Sequence, residues 1–96
     1  MTPQEEAEAE AAAKAAEGYI AAFIPEVDQV ALVTLVINAA DGSADQSIDG
    51  RFNAGKAALL QAEAETGHAG QAPDQTVSAV VDAILNAVAA LRPASA

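Results

Sequence analysis

The sequence predicts an all-α fold: a small helical bundle of three to four helices with an alanine- and glutamate-rich N-terminal helical arm. Three observations predict it. The first is the run Pro25–Ala40, PEVDQVALVTLVINAA, in which Thr34 is the sole polar residue between Val30 and Ile37. On a helical wheel Val27, Val30, Leu32, Val33, Leu35, Val36 and Ile37 point in nearly every direction, and a helix that is apolar all round must be surrounded. The second is a pair of later segments with apolar residues in alternating steps of four and three: Ile48, Phe52, Gly55, Leu59, Ala62, and Val77, Val81, Ile84, Val88, Leu91. The third is the run EAEAEAAAKAAE, built almost wholly from strong helix formers. Residues 1–18 form the arm, 19–92 the compact helical domain and 93–96 a short tail.

The first helix is expected over residues 4–24. Thr2 can cap it, Pro3 suits the first turn, and Glu5, Glu6, Glu8 and Glu10 complement the positive end of the helix dipole. Its large apolar groups come only at the end, as Tyr19, Ile20, Phe23 and Ile24. The front half therefore stays solvated or lies on a partner through its alanines, and Pro25 ends the helix because it biases Ile24 out of the helical region.

The second helix is expected to open at Pro25. Its β-branched residues also suit a strand, but nothing else in the chain reads as a strand to pair with it. Its narrowest face carries Val27, Ala31, Thr34 and Asn38, small or polar enough to admit a close neighbour, so these four are the expected border of a contact with a partner protein or another copy. Ser47 is the expected cap of a third helix, 48–66, which Gly67 terminates. A fourth helix, 75–92, follows Pro73 with Asp74 or Thr76 as cap, and Pro93 stops it. The two later seams fit as an antiparallel pair, with Ile48 facing Leu91, Phe52 facing Val88, Gly55 facing Ile84 and Leu59 facing Val81. Asp45-Gln46-Ser47-Ile48 and Asp74-Gln75-Thr76-Val77 match in register, which shared capping chemistry explains as well as duplication does.

Composition excludes several classes of function. At 96 residues the chain is one domain's worth, small enough that self-association or docking would be a natural way to bury more apolar surface. Four Lys plus Arg stand against fourteen Asp plus Glu, for a formal charge of −10. That argues against nucleic-acid binding through phosphates and against adsorption to an anionic membrane. Pro25, Glu26, Asp28 and Gln29 interrupt the stretch 18–40 that would otherwise raise a membrane span. There is no cysteine, so thiolate chemistry is excluded. An acidic N-terminus without an apolar core does not read as a secretory signal. The expected location is cytoplasmic, or virion-associated for a viral protein.

Chemistry-bearing residues are few. His68 is the only histidine and lies in a turn-rich connector. The serines have no base beside them, no glycine-rich phosphate loop precedes a helix with a lysine, and Glu63 and Glu65 lie on a helix end expected to be solvated. No enzyme, no small-molecule substrate and no cofactor are expected. The loop after the second helix is the sharpest candidate: Asp41, Ser43, Asp45, Ser47 and Asp49 place oxygen-bearing side chains at every second position. This resembles the calcium loop of the EF-hand, with Ile48 where that family places an aliphatic residue. Gln46 stands where the family needs glycine, and Phe52 where a bidentate glutamate closes the shell. INAADG followed by a capped helix is similar to the helix–ADG–helix pattern of tellurite-resistance TerB-type domains, with Asp49 in the region of that family's glutamate.

The reading these observations favour is a non-enzymatic, acidic helical protein that acts by protein–protein association. Such a protein is a structural, assembly or accessory component of a virus particle or another large complex. One alternative is a divalent-cation module using Asp41–Asp49 to hold calcium. Another is an acidic inhibitor or nucleic-acid mimic that binds a basic protein.

Overall fold

A computed structural model describes residues 1–93. Residues 94–96, most of the expected tail, lie outside the described residues. Four helices follow in order: α1 (Pro3–Phe23), α2 (Gln29–Asp41), α3 (Ile48–Glu65) and α4 (Asp74–Leu91), with no strand among the described residues.

The helix ends follow local chemistry. At α1, the Thr2 hydroxyl accepts from the Glu5 N–H at 3.1 Å and the Thr2 N–H donates to Glu5 Oε1 at 3.0 Å, a reciprocal capping box with Pro3 in the first turn. Ile24, at φ −139°, leaves the helical region ahead of Pro25. Ser47 caps α3 through the Gly50 N–H at 3.1 Å. The end of α3 is closed by a Schellman motif: Gly67 adopts φ +81°, His68 N–H donates to Glu63 O at 2.7 Å and Gly67 N–H to Ala64 O at 3.2 Å.

Two expected helix starts are corrected. α2 begins at Gln29, not Pro25, because the Asp28 carboxylate accepts from Ala31 N–H at 2.8 Å and fixes the first turn there. Pro25–Val27 instead forms a turn, with Val27 N–H on Ile24 O at 3.1 Å. α4 begins with Pro73 at the cap position and no side-chain cap bond from Asp74 or Thr76.

The chain runs up, down, up, down. Gln4 Nε2 donates to Leu91 O at 2.9 Å, which sets the start of α1 beside the end of α4. Arg92 reaches Asp41, setting the ends of α4 and α2 together, while Tyr19 hydrogen-bonds Glu63 near the ends of α1 and α3. α1 packs chiefly on α4 and α2 chiefly on α3, and α2 and α4 each touch all three other helices.

The alanine-rich N-terminal arm is helical, and it lies on α4 of its own chain. Ala9, Ala12, Ala13 and Ala16 are buried at helical spacing, small residues that let the two backbones approach closely. The core proper combines Ile20, Ile24, Leu32, Val33, Val36, Leu59, Val77, Val81, Ile84 and Val88. By length and composition α4 is apolar enough to cross a membrane, yet Val77, Val80, Val81, Ile84 and Val88 are all core residues of the bundle.

Most of the residues expected along the α3–α4 seam lie in the common core. Leu59, Val77, Val81, Ile84 and Val88 are buried and Phe52 packs against them. Ile48 and Leu91 do not meet in a core, being 87% and 41% exposed. Gly55 does not face Ile84: a Cβ built there would lie 3.2 Å from Val36 Cγ1 and 3.4 Å from Val81 Cγ1. The reason is α2, whose apolar circumference claims α3 as its main neighbour and turns the α3 seam toward itself.

Two glutamates are buried in this bundle, Glu8 at 6% and Glu63 at 1% exposed, and Glu63, expected on a solvated helix end, accepts a hydrogen bond from the Tyr19 hydroxyl. Burial, and then the bond to Glu63, push the Tyr19 phenol pKa upward, so the hydroxyl stays a donor.

Three substitutions test these contacts. Gly55→Leu should cost about 1–3 kcal/mol in urea unfolding, by overpacking against two stiff valines. Gly18→Ala, which meets no atom within 4 Å, should instead gain about 0.5–1 kcal/mol from helix propensity. A Gly55→Leu midpoint equal to that of the unsubstituted protein would remove Gly55 from the α2–α3 interface. Tyr19→Phe leaves the packing but removes the donor to a buried carboxylate, with an expected loss of about 1.5–3 kcal/mol.

Candidate functional site

The outward side of α2 carries exposed apolar side chains. Leu32, Val33, Val36, Ile37 and Ala40 turn inward and are buried. Val30 and Leu35 stay 39% and 50% exposed, with Ala31 exposed between them in the helix. Together with Thr34, Asn38, Asp28 and Met1 they line an open groove of about 520 Å³. A smaller cleft of about 110 Å³ adjoins it and shares Met1, Thr34 and Asn38. Its remaining lining is Glu5, Glu8, Ala9, Ile37, Asp41 and Arg92.

Of the four residues expected at a partner contact, the structure brings Ala31, Thr34 and Asn38 to this groove and leaves Val27 packed against the core. Val27 precedes the helix, so the wheel that placed it on the same face does not apply to it. Thr34 is half-buried, and its Oγ1 is buried without a hydrogen-bond partner. Sequence reasoning missed Val30 and Leu35 because their size suggested core. The available signal was that both flank the small face of Ala31, Thr34 and Asn38.

An ion cluster forms one wall of the cleft. Arg92 donates from Nε and Nη2 to the two Glu8 oxygens, both at 3.0 Å, and from Nη1 and Nη2 to the two Asp41 oxygens at 3.0 and 2.9 Å. Asp41 Oδ1 also accepts from Arg51 Nη1 at 2.9 Å, and Glu8 Oε2 from Gln4 Nε2 at 3.0 Å. The Arg92 guanidinium, foremost, holds the Glu8 and Asp41 carboxyls below the usual carboxylate range. The same bonds, to Asp41 and then Glu8, raise the Arg92 pKa. One arginine thus ties α1, the end of α2 and the end of α4 together.

The loop between α2 and α3 closes on itself. Gln46 Nε2 points at three backbone oxygens, Ala40 at 3.0 Å, Asp41 at 3.2 Å and Ser43 at 2.7 Å. The residue in the EF-hand glycine position is therefore the one that fills the turn. Ser43 Oγ donates to Gly50 O and accepts from Asp45 N–H, both at 3.3 Å, while Asp45 Oδ1 accepts from Ser47 N–H at 2.9 Å. Gly50 sits so close that a Cβ there would fall 2.3 Å from Asp45 O. Asp41 is turned to Arg51 and Arg92, Ser47 caps α3, and Asp49 is exposed. Among the described residues, no three Asp, Glu or His side chains converge in a way that could hold a metal ion.

His68 lies across from Glu26, bonded through Nε2, with Nδ1 on Gln71 Oε1 at 2.8 Å. These bonds, to Gln71 first and then Glu26, raise the imidazole pKa and pin the α3–α4 connector to the α1–α2 turn.

No family model, curated protein or solved structure matches the chain. The two resemblances at the loop stay with the few residues that carry them.

The Arg92 cluster gives a pH prediction with a fixed sign. Carboxyls whose folded-state pKa values are lowered stabilise the fold fully above the ordinary carboxylate range, and that stabilisation is lost as pH falls through the lowered values. Arg92→Ala should cost about 1–2 kcal/mol near neutral pH, allowing for solvent screening at the more exposed Asp41. The gap between the two proteins should narrow as pH falls below the ordinary carboxylate range. Chemical denaturation across pH checks this, and a gap constant down to about pH 2 would assign the loss to packing of the arginine stem instead.

Proposed function

We propose that this chain is a non-enzymatic protein–protein association component, structural, assembly or accessory in role, that docks its partner on the outward face of α2. The observation that carries this reading is the exposed apolar strip Val30, Ala31 and Leu35 on the very helix whose other side makes the core. A surface helix of a self-sufficient bundle ordinarily sets charged residues opposite its apolar stripe. Between its Asp28 cap and Asp41, α2 carries none. Contiguous apolar surface on an otherwise strongly charged protein marks an interaction site.

The polar groups elsewhere support the same reading by being used internally. Arg92, Glu8 and Asp41 satisfy one another, and Gln46, Ser43 and Asp45 build the loop. Glu63 and Tyr19 are paired in the interior. The outward face of α2 is an apolar surface that the fold itself does not use.

The test is a double substitution that spares the fold. Ala31→Glu with Leu35→Glu alters side chains already exposed and should change stability by less than about 1 kcal/mol. Far-ultraviolet dichroism and melting check that. Expressed in its source cells, the unsubstituted protein should run as part of a larger complex and the double variant at the mass of a free monomer. Identical sedimentation of the two would overturn the proposal.

A further inference from the structure

The end of the bundle opposite the Arg92 cluster is closed by two loops. The α1–α2 turn brings Ile24 into the core and the α3–α4 connector brings Ala72, both of them buried. Glu63, which holds the Tyr19 hydroxyl inside, also accepts the His68 N–H on its backbone oxygen at 2.7 Å. The connector is shaped locally. Gly67 and Gly70 adopt φ +81° and +76°, a region that L side chains rarely enter, and the Gln71 N–H donates to His68 O at 3.1 Å. His68 lies between those two glycines, and its side chain contacts Glu26, 42 residues away in the chain.

Both ring nitrogens of His68 face oxygen acceptors: Nε2 the Glu26 carboxylate, and Nδ1 the Gln71 Oε1 at 2.8 Å. Only the imidazolium has an N–H for each. We propose that His68 is a proton-operated latch, closing the α3–α4 connector on the α1–α2 turn when protonated and loosening that closure when neutral. On loss of the proton the Gln71 amide can turn over and donate, but an ionised carboxylate is acceptor-only. The contact with Glu26 then falls from a charge-assisted pair to a bond from a neutral ring. Loosening bares Ile24 and Ala72, the core residues that the two loops supply. The latch is independent of the docking role of α2.

The groups around the ring give the sign. The bond to Gln71, the bond to Glu26 and the negative charges of Glu26 and Glu63 outweigh burial and hold the imidazole pKa above its ordinary value. Tyr19, the titratable side chain of α1 at this end, stays a donor to Glu63, and Asp74 at the start of α4 is paired with Lys56. A raised histidine pKa means that the latch is fully closed below the ordinary imidazole value and loosens as pH rises through the raised one. Glu26, whose pKa is lowered chiefly by its bond to His68, stays ionised through that window, and its own protonation loosens the latch only below the ordinary carboxylate range. Because Glu26 is exposed and its charge is screened by solvent, the effect falls on the two loops rather than on global stability.

His68 is the only histidine, so its ring resonances can be followed by NMR in the full chain. Their titration midpoint should lie above the ordinary value of about 6.5. Glu26→Gln, which keeps an oxygen acceptor but removes the charge, should lower the midpoint by at least about half a pH unit, a roughly threefold loss of proton affinity. Salt at about 1 M should move the midpoint of the unsubstituted protein the same way. Amide solvent exchange reads the latch itself. Protection factors at Val27, His68 and Gln71, corrected for the intrinsic pH dependence of exchange, should fall by about the same threefold between about pH 5.5 and about pH 9. They should fall less in Glu26→Gln and stay level in His68→Gln, both checked for fold by dichroism. An ordinary midpoint that Glu26→Gln leaves in place overturns the proposal. A raised midpoint with protection unchanged across pH overturns it as well, since the ring then titrates without moving the loops. Protection that falls equally in His68→Gln assigns the change to another group and also overturns it.

Discussion

The bundle depends on burying the inner side of α2. A helix of 13 residues with Leu32, Val33, Val36, Ile37 and Ala40 on one side cannot be covered by a single neighbour, and α2 touches all three other helices, as α4 also does. That requirement sets the neighbours. α3 lies along α2 because Gly55 lets it come within van der Waals reach of Val36. α1 and α4 then pair through alanines on one side and valines and Ile84 on the other. The two helices poorest in large apolar residues, α1 and α3, pack through small residues at close range.

Polar bonds fix what hydrophobic burial leaves loose. Alanine and valine surfaces slide past one another easily, since they offer few interlocking shapes. Arg92 and Tyr19 remove that freedom at opposite ends of the long helices. Arg92 joins the start of α1 to the ends of α2 and α4, and Tyr19 joins the end of α1 to α3 through Glu63. A buried carboxylate adds little net stability against an apolar replacement. Its value here is in register, because only one alignment of α1 and α3 puts the phenol on Glu63. The His68–Glu26 contact restrains the connector at that same end from outside.

How much of this was legible in the sequence depended on how local the cause is. Helix ends read well where one cap decides them, as at Thr2, Ser47 and Gly67. The start of α2 read badly because two start signals, Pro25 and Asp28, lie three residues apart, and only the carboxylate has an N–H to receive. Neighbour relations were not legible. The seams of α3 and α4 are complementary on paper, but any two stripes at three-and-four spacing are, and the sequence does not say that α2 outcompetes α4 for Gly55. Arg92 and Glu8 stand 84 residues apart, and Tyr19 and Glu63 stand 44 apart. No local pattern could pair them.

The groove on α2 sits between these two regimes. Ala31, Thr34 and Asn38 were readable as a close-approach face because small and polar residues interrupt an apolar helix at helical spacing. Val30 and Leu35 were not, since an aliphatic side chain carries no mark of whether a neighbour covers it. In a bundle of four helices, a helix covered by three others on one side keeps its remaining side free, and α2 is apolar there too. The acidic residues that make the chain strongly anionic are absent from that strip between Asp28 and Asp41. Charge is excluded from the outward strip as thoroughly as from the core. Under the docking role proposed for α2, that strip is the surface a partner would cover.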